Sequence, residues 1–144
     1  QQVDDILKSK NILLAKEKAF VYLRELCEEF KIQRKNNYPE LIQKIIKYIS
    51  THYEDVNLNI SNVADHFDLS SDYISQLYRE QKGEGILDTI HMIRTSKAKE
   101  LLLKSALSLE EISKKVGYSN TRTFFRAFKK YQGVNPGDVR ISIL

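Results

Sequence analysis

Cysteine is nearly absent from this chain of 144 residues; Cys27 stands alone. One thiol excludes an internal disulfide framework and fits a reducing compartment. Proline and glycine are scarce, at two and five. So few breakers, together with few β-branched residues in strict alternation, speak against a sheet-based architecture and predict an all-α protein. No apolar run approaches the ~20 residues that span a bilayer, and no signal-peptide pattern is present. The expected location is cytoplasmic, although the full-length protein could carry a membrane anchor. Catalytic equipment is also missing. There is no glycine-rich phosphate loop. His52, His66 and His91 lie 14 and 25 residues apart, and no Cys, His or Asp pair has ligand spacing. No enzyme activity, catalytic residue, metal or cofactor is expected.

What is present is a folding composition, 42% hydrophobic and 29% charged, with a net charge of +4 and a pI near 9.1. The excess charge favours a polyanionic partner only weakly; its distribution says more. Residues 119–133, SNTRTFFRAFKKYQG, hold Arg122, Arg126, Lys129 and Lys130 and no acid. Their spacing predicts a helix with an apolar spine (Phe124, Ala127, Phe128) and a cationic outer face, suited to phosphates and base edges.

In chain order, residues 4–35 read as one long helix. Ile6, Leu13, Phe20 and Cys27 fall seven apart, flanked by rows Leu7–Leu14–Val21 and Ile12–Ala19–Leu26. A stripe this wide seeks a partner surface, and Cys27 on it reads as a buried hydrophobe. A homodimer through residues 4–35, or signal transmission from upstream, is the expected use. Because the chain opens on Gln1 rather than Met, a sensor or receiver domain is expected upstream. Residues 35–38 break the pattern and read as a linker. Pro39 then fits a first helical turn, and a helix runs to about His52.

The next segment is diagnostic. Residues 60–66 predict a short helix, 68–70 a tight turn and 71 to about 81 a second helix. Val63, Ala64, Phe67, Leu69, Ile74 and Leu77 have helix-turn-helix spacing, with small Ala64 permitting close helix approach. The turn favours a left-handed residue; Asp68 stands there, and Asp tolerates that region better than most. The pattern repeats. Leu109, Ile112, Ser113, Val116, Gly117 and Tyr118 match at an offset of 49, and Phe124, Ala127, Phe128 and Gly133 at 50, so the second turn is one residue longer. Between the copies, residues 86 to about 105 predict a linker helix of roughly 30 Å, with Ile86, Ile90, Ile93, Leu101 and Leu102 inward. Successive major-groove windows are about 34 Å apart, so one rigid helix of this length can hold two readers. Asn135 and Pro136 open a last short helix ending near Ile141. The domain reading is 1–37 for the linker helix and 38–144 for the domain, with helix-turn-helix units at 58–83 and 108–133 joined by 86–105.

Residues 40–141, about seven-tenths of the chain, resemble the DNA-binding domain of the AraC/XylS family of bacterial transcription regulators. The resemblance is carried by RTSKAKELLLKSALSLEEISKKVGYSNTRTFFRAFKKYQGVNPGDVR and by the tail Gly133, Pro136 and Arg140. It implies two recognition helices entering adjacent major-groove segments of double-stranded DNA, in the output domain of a sensor or response regulator. The departures are Asp68 for a turn glycine, Thr123 and Phe125 where an aromatic and a small polar residue are common, and Val139 for an aromatic.

Helix phase sorts the residues. In the second unit Thr121, Arg122, Phe125, Arg126 and Lys129 project outward. Arg126 is the first base-reading candidate, because a guanidinium pairs bidentately with guanine; Arg122 and Thr121 follow, and Phe125 can sit against a thymine methyl. Lys129, Lys130 and Ser119 are phosphate candidates. In the first unit Ser71, Asp72, Ser75 and Gln76 are base-reading candidates, and Arg79 and Ser70 phosphate candidates. His66 faces outward beside the first turn, in reach of the DNA backbone. Asp72 and Glu80 offset Arg79 and Lys82, so the first reader is neutral and the second cationic. Two other uses stay open. One is a helical protein–protein adaptor, contacting RNA polymerase or a partner regulator without reading bases. The other is a single-strand stacking platform built from Tyr78, Phe124, Phe128 and Tyr131; their inward phase opposes it.

Overall fold

The computed structural model describes residues 12–142, except the side chains of residues 34–36. Among these residues there are seven helices and no strand. They are α1 Ile12–His52, α2 Ile60–His66, α3 Ser71–Lys82, α4 Ile86–Lys104, α5 Leu109–Lys115, α6 Thr121–Gln132 and α7 Pro136–Ile141. Contacts divide the chain into two compact units, residues 1–39 and 40–144.

In the first unit, the expected helix over residues 4–35 is present from Ile12 onward; residues 4–11 lie outside the described residues. The expected break at residues 35–38 is not one, because α1 continues through it with Pro39 inside. Polar residues such as Lys and Asn cost a helix less than ~1 kcal/mol each, so polarity alone does not end it. Proline removes a single hydrogen bond to the preceding turn, and the boundary between the units falls at that weak point. The apolar stripe is exposed at Leu13, Phe20, Val21, Leu23, Phe30 and Ile32. Cys27 is exposed with it, which corrects the expectation of a buried thiol. The described part of this unit is one helix, and one helix has no second layer against which to bury a stripe.

The second unit holds two hydrophobic cores. Ile42, Ile45 and Ile49, at i, i+3 and i+7 on the last turns of α1, pack with Leu58, Val63, Ala64, Ile74, Tyr78, Ile86 and Ile90. The other core gathers Ala98, Leu102, Ile112, Val116, Tyr118, Phe124, Ala127, Phe128 and Val139. Helix α4 belongs to both, its N-terminal half to the first and its C-terminal half to the second. Its buried row is Ile86, Ile90, Arg94, Ala98 and Leu102, each four residues on. Ile93 and Leu101, expected inward, are half-buried. Arg140 of the tail reaches back to the Ser105 carbonyl at the end of α4, at 3.5 Å.

The two helix-turn-helix units are built alike. Helices α2 and α5 have seven residues each, too short to hold alone, and both start with a reciprocal cap. Asn59 and Asn62 each accept from the other's backbone N–H at 3.1 Å. Ser108 Oγ accepts from Glu111 N–H at 3.2 Å, and Glu111 accepts from Ser108 N–H at 2.7 Å. Such caps satisfy two orphan donors at once. The small-residue position at the helix crossing is Ala64 in the first unit and Ser113 in the second, 1% exposed in both. Among the described residues Ser113 Oγ has no hydrogen-bond partner, whereas Ala64 has no polar side-chain atom to satisfy. The turn residue Asp68 adopts φ 53° and Gly117 φ 95°.

Candidate nucleic-acid interface

Helices α3 and α6, the second helices of the two units, carry the sequence candidates. Each buries one row and exposes another. Ile74, Leu77 and Tyr78 are buried on α3 and Phe124, Ala127 and Phe128 on α6. This burial removes Tyr78, Phe124 and Phe128 from any stacking platform. Outward on α3 stand Ser71, Asp72, Gln76 and Arg79, with Ser75 half-buried. Asp72, Ser75, Gln76, Arg79 and Glu80 line one shallow depression. Outward on α6 stand Arg122, Phe125, Arg126, Lys129 and Lys130, with Thr121 half-buried. The Phe125 ring is 38% exposed and lies 5.7 Å from the Phe124 ring.

The caps set where the outward faces begin. Ser70 Oγ accepts from Tyr73 N–H at 3.2 Å, so this phosphate candidate already caps α3, with its own O–H still able to donate. On α6 the cap is Asn120, whose Oδ1 accepts from Arg122 N–H at 2.7 Å and from Thr123 N–H at 3.4 Å. Ser119 is exposed one residue earlier. Asn120 was not among the candidates, although an Asn directly before a helical run is itself a start signal.

Partners separate the cations. The side chains of Arg122, Arg126 and Lys129 make no hydrogen bond or ion pair among the described residues, which leaves them free to meet an anion. Lys130 is different: its Nζ lies 3.2 Å from Asp88 Oδ1 on α4 and 3.0 Å from the Tyr131 hydroxyl. Tyr131 Oη donates to the same Asp88 oxygen. The bond from Tyr131, then that from Lys130, hold the Asp88 carboxyl below its usual range, so it is ionised and ties α6 to the start of α4. On α3 the Gln76 amide donates to Glu80 Oε1 at 2.9 Å; reading an adenine with that amide requires it to leave Glu80. His66 is exposed, with its ring stacked on Tyr48 at 4.1 Å between centroids. Asn135 sits at the start of α7 but makes no side-chain cap. It donates instead to Asp138 at 3.1 Å.

Helices α3 and α6 are both fastened to α4. Tyr78 Oη and Thr89 Oγ1 share a hydrogen bond of 2.8 Å, and Gln132 donates to Thr95 Oγ1 at 3.2 Å. His91 is sandwiched between Tyr118 and Tyr131, with centroids at 5.7 and 5.9 Å, and its Nδ1 lies 2.8 Å from Tyr118 Oη. Burial, then the positive charge of Arg94, hold its pKa below the ordinary 6.5; Asp88 opposes and Lys130 assists. The folded state therefore prefers the neutral ring. Its contribution to stability is full above pH 6.5 and is lost as pH falls through the lower folded value. Urea unfolding at pH 7.5 and 5.5 should show the wild type losing stability at the lower pH. His91→Gln should show a smaller drop, and an equal one would remove His91 from the explanation.

Two helix-turn-helix units on one linker helix, each presenting an outward second helix, define a bipartite DNA-binding domain. A helix-turn-helix domain family matches residues 63–141. The arabinose operon regulatory protein of Escherichia coli K12 is 34% identical over 99 residues, covering 69% of this chain and 34% of that protein. The C-terminal domain of AraT, a response regulator from Geobacillus stearothermophilus, superposes with TM-score 0.67 at 33% identity, covering 70% of this chain and 84% of that one. The C-terminal domain of the two-component response regulator yesN from Fusobacterium nucleatum gives TM-score 0.64 at 36% identity, covering 72% and 98%. The chain belongs to the AraC family of helix-turn-helix transcription regulators. It spans about a third of the length of the arabinose regulator it matches. Among the described residues, no helix is long and apolar enough to cross a membrane.

Proposed function

We propose that this chain regulates transcription by sequence-specific binding to double-stranded DNA, with α3 and α6 in adjacent major-groove segments. The observation that carries this is the pairing of one motif in two copies on α4 with a cationic face on the second copy whose Arg122, Arg126 and Lys129 are unpaired among the described residues. Arg126, Arg122, Phe125 and Thr121 read bases on α6, and Asp72, Gln76, Ser71 and Ser75 on α3. Lys129, Arg79, Ser119 and Ser70 meet phosphates. Lys130, held by Asp88, contributes less than Lys129. The domain carries no catalytic step and acts in the cytoplasm as the output of a sensor or response regulator; two of its structural relatives are C-terminal domains of response regulators. The exposed apolar residues of α1 from Leu13 to Ile32 serve a homodimer, and contact with RNA polymerase follows from the regulatory role.

Titration of a mixed duplex library at two salt concentrations tests this reading. A sequence-selective component with a steep salt slope is expected. Absence of DNA binding at low salt would replace it with a protein–protein adaptor. Light scattering with and without residues 1–37 tests the dimer; a monomer in both cases rejects it.

A further inference from the structure

Arg94 is 6% exposed, in the middle of the buried row of α4, between the residues of one core and those of the other. A buried cation is expensive unless fully bonded. Its partners come from outside α4. Nε donates to the Tyr53 carbonyl at 2.8 Å and Nη2 to the Asp55 carbonyl at 2.7 Å, in the segment that leads into the first helix-turn-helix. The guanidinium also lies 5.3 Å from the Tyr118 ring centroid, in the second helix-turn-helix. Gly117 closes the junction: a Cβ there would overlap the Tyr53 carbonyl oxygen and come within 2.9 Å of Arg94 Nε. The lead-in to one reader, the linker helix and the turn of the other reader therefore meet at one side chain. An apolar residue would fill the same space but could not hold two carbonyls. A lysine could hold one, but it lacks the planar fork.

We infer that Arg94 is a positioning residue that fixes the separation and angle of the two reading helices, so that the spacing between the two DNA elements is read through it. This rests on the DNA-reading function proposed above. Each base pair added between the elements moves one of them by about 3.4 Å along the axis and roughly 35° around it. A clamped pair of readers cannot follow both changes; an unclamped pair follows them at the expense of affinity for the original spacing.

The test uses the whole 144-residue chain and a duplex chosen by selection from random DNA. Variants of that duplex carry one or two base pairs added or removed between the two protected elements. The wild type is expected to lose about tenfold or more per altered base pair. Arg94→Lys and Arg94→Met, checked for folding by circular dichroism and melting, are expected to lose less than about threefold, with a weaker optimum. Arg94→Lys keeps the charge and the stem, so it serves if Arg94→Met does not fold. A spacing profile as steep in a folded Arg94 variant as in the wild type overturns the inference. So does a wild type that binds selectively yet ignores spacing. A wild type that shows no selective binding at any spacing instead overturns the DNA-reading function itself.

Discussion

Gly117→Ala is expected to destabilise the domain of residues 40–144 by about 3–5 kcal/mol. Two penalties add. The backbone at Gly117 has φ 95°, a region that strains any L side chain. The new Cβ would also overlap the Tyr53 carbonyl oxygen, which is itself held by Arg94. Backbone, not a flexible side-chain end, has to move, and the Arg94 bond moves with it. Differential scanning calorimetry should show Tm lowered by roughly 10–20 °C. Melting within about 3 °C of the wild type would mean that the junction around Arg94 is far more compliant than its geometry. The first turn supplies the control. Asp68 sits at φ 53°, already in the left-handed region. Asp68→Gly relieves that strain but frees the unfolded chain, so it should change stability by less than about 1 kcal/mol. Equivalent positions in two copies of one motif thus respond unequally, because a Cβ at Gly117 meets the Tyr53 backbone whereas Asp68 already carries its side chain at positive φ.

The same contrast explains what could be read from the residues alone. Helices α2 and α7 are expected at their observed limits, and α3 and α4 within a residue or so. These depend on caps, periodicity and turn residues that lie within a few positions of one another. The offsets of 49 and 50 likewise follow the one-residue difference between the turns at 67–70 and 116–120. Arg94 escaped because a charged residue in an apolar stripe reads as a surface position. Its spacing of four from Ile90 and Ala98 was the available signal. The bond from Lys130 to Asp88 spans 42 residues, so no local pattern reports it. Cys27 was misplaced for another reason: an apolar stripe states a preference for burial, and only a second surface satisfies it.

On the DNA side, Arg126→Ala is expected to weaken binding to a selected duplex by about 1–3 kcal/mol and to relax preference at one base pair. Lys129→Ala should weaken all sequences alike and reduce the salt slope by about one. Both residues are on the outer face of α6 without partners among the described residues, so the difference between them is chemical. A guanidinium offers a planar fork that matches a guanine edge, whereas an ammonium is a point charge suited to phosphate. Lys130→Ala should cost less than Lys129→Ala, because its Nζ is already held by Asp88 and Tyr131 and gives up that bond before it meets a phosphate. Arg122 lies one turn before Arg126 on the same face, close enough to share a base step, so the double substitution need not be additive. It must still exceed either single change. Binding by the Arg122→Ala, Arg126→Ala protein equal to wild type would show that the charged face of α6 is solvated and reads nothing. Selectivity would then rest on α3, where Asp72 and Glu80 balance Arg79 and Lys82 and the amide candidate Gln76 is bonded to Glu80.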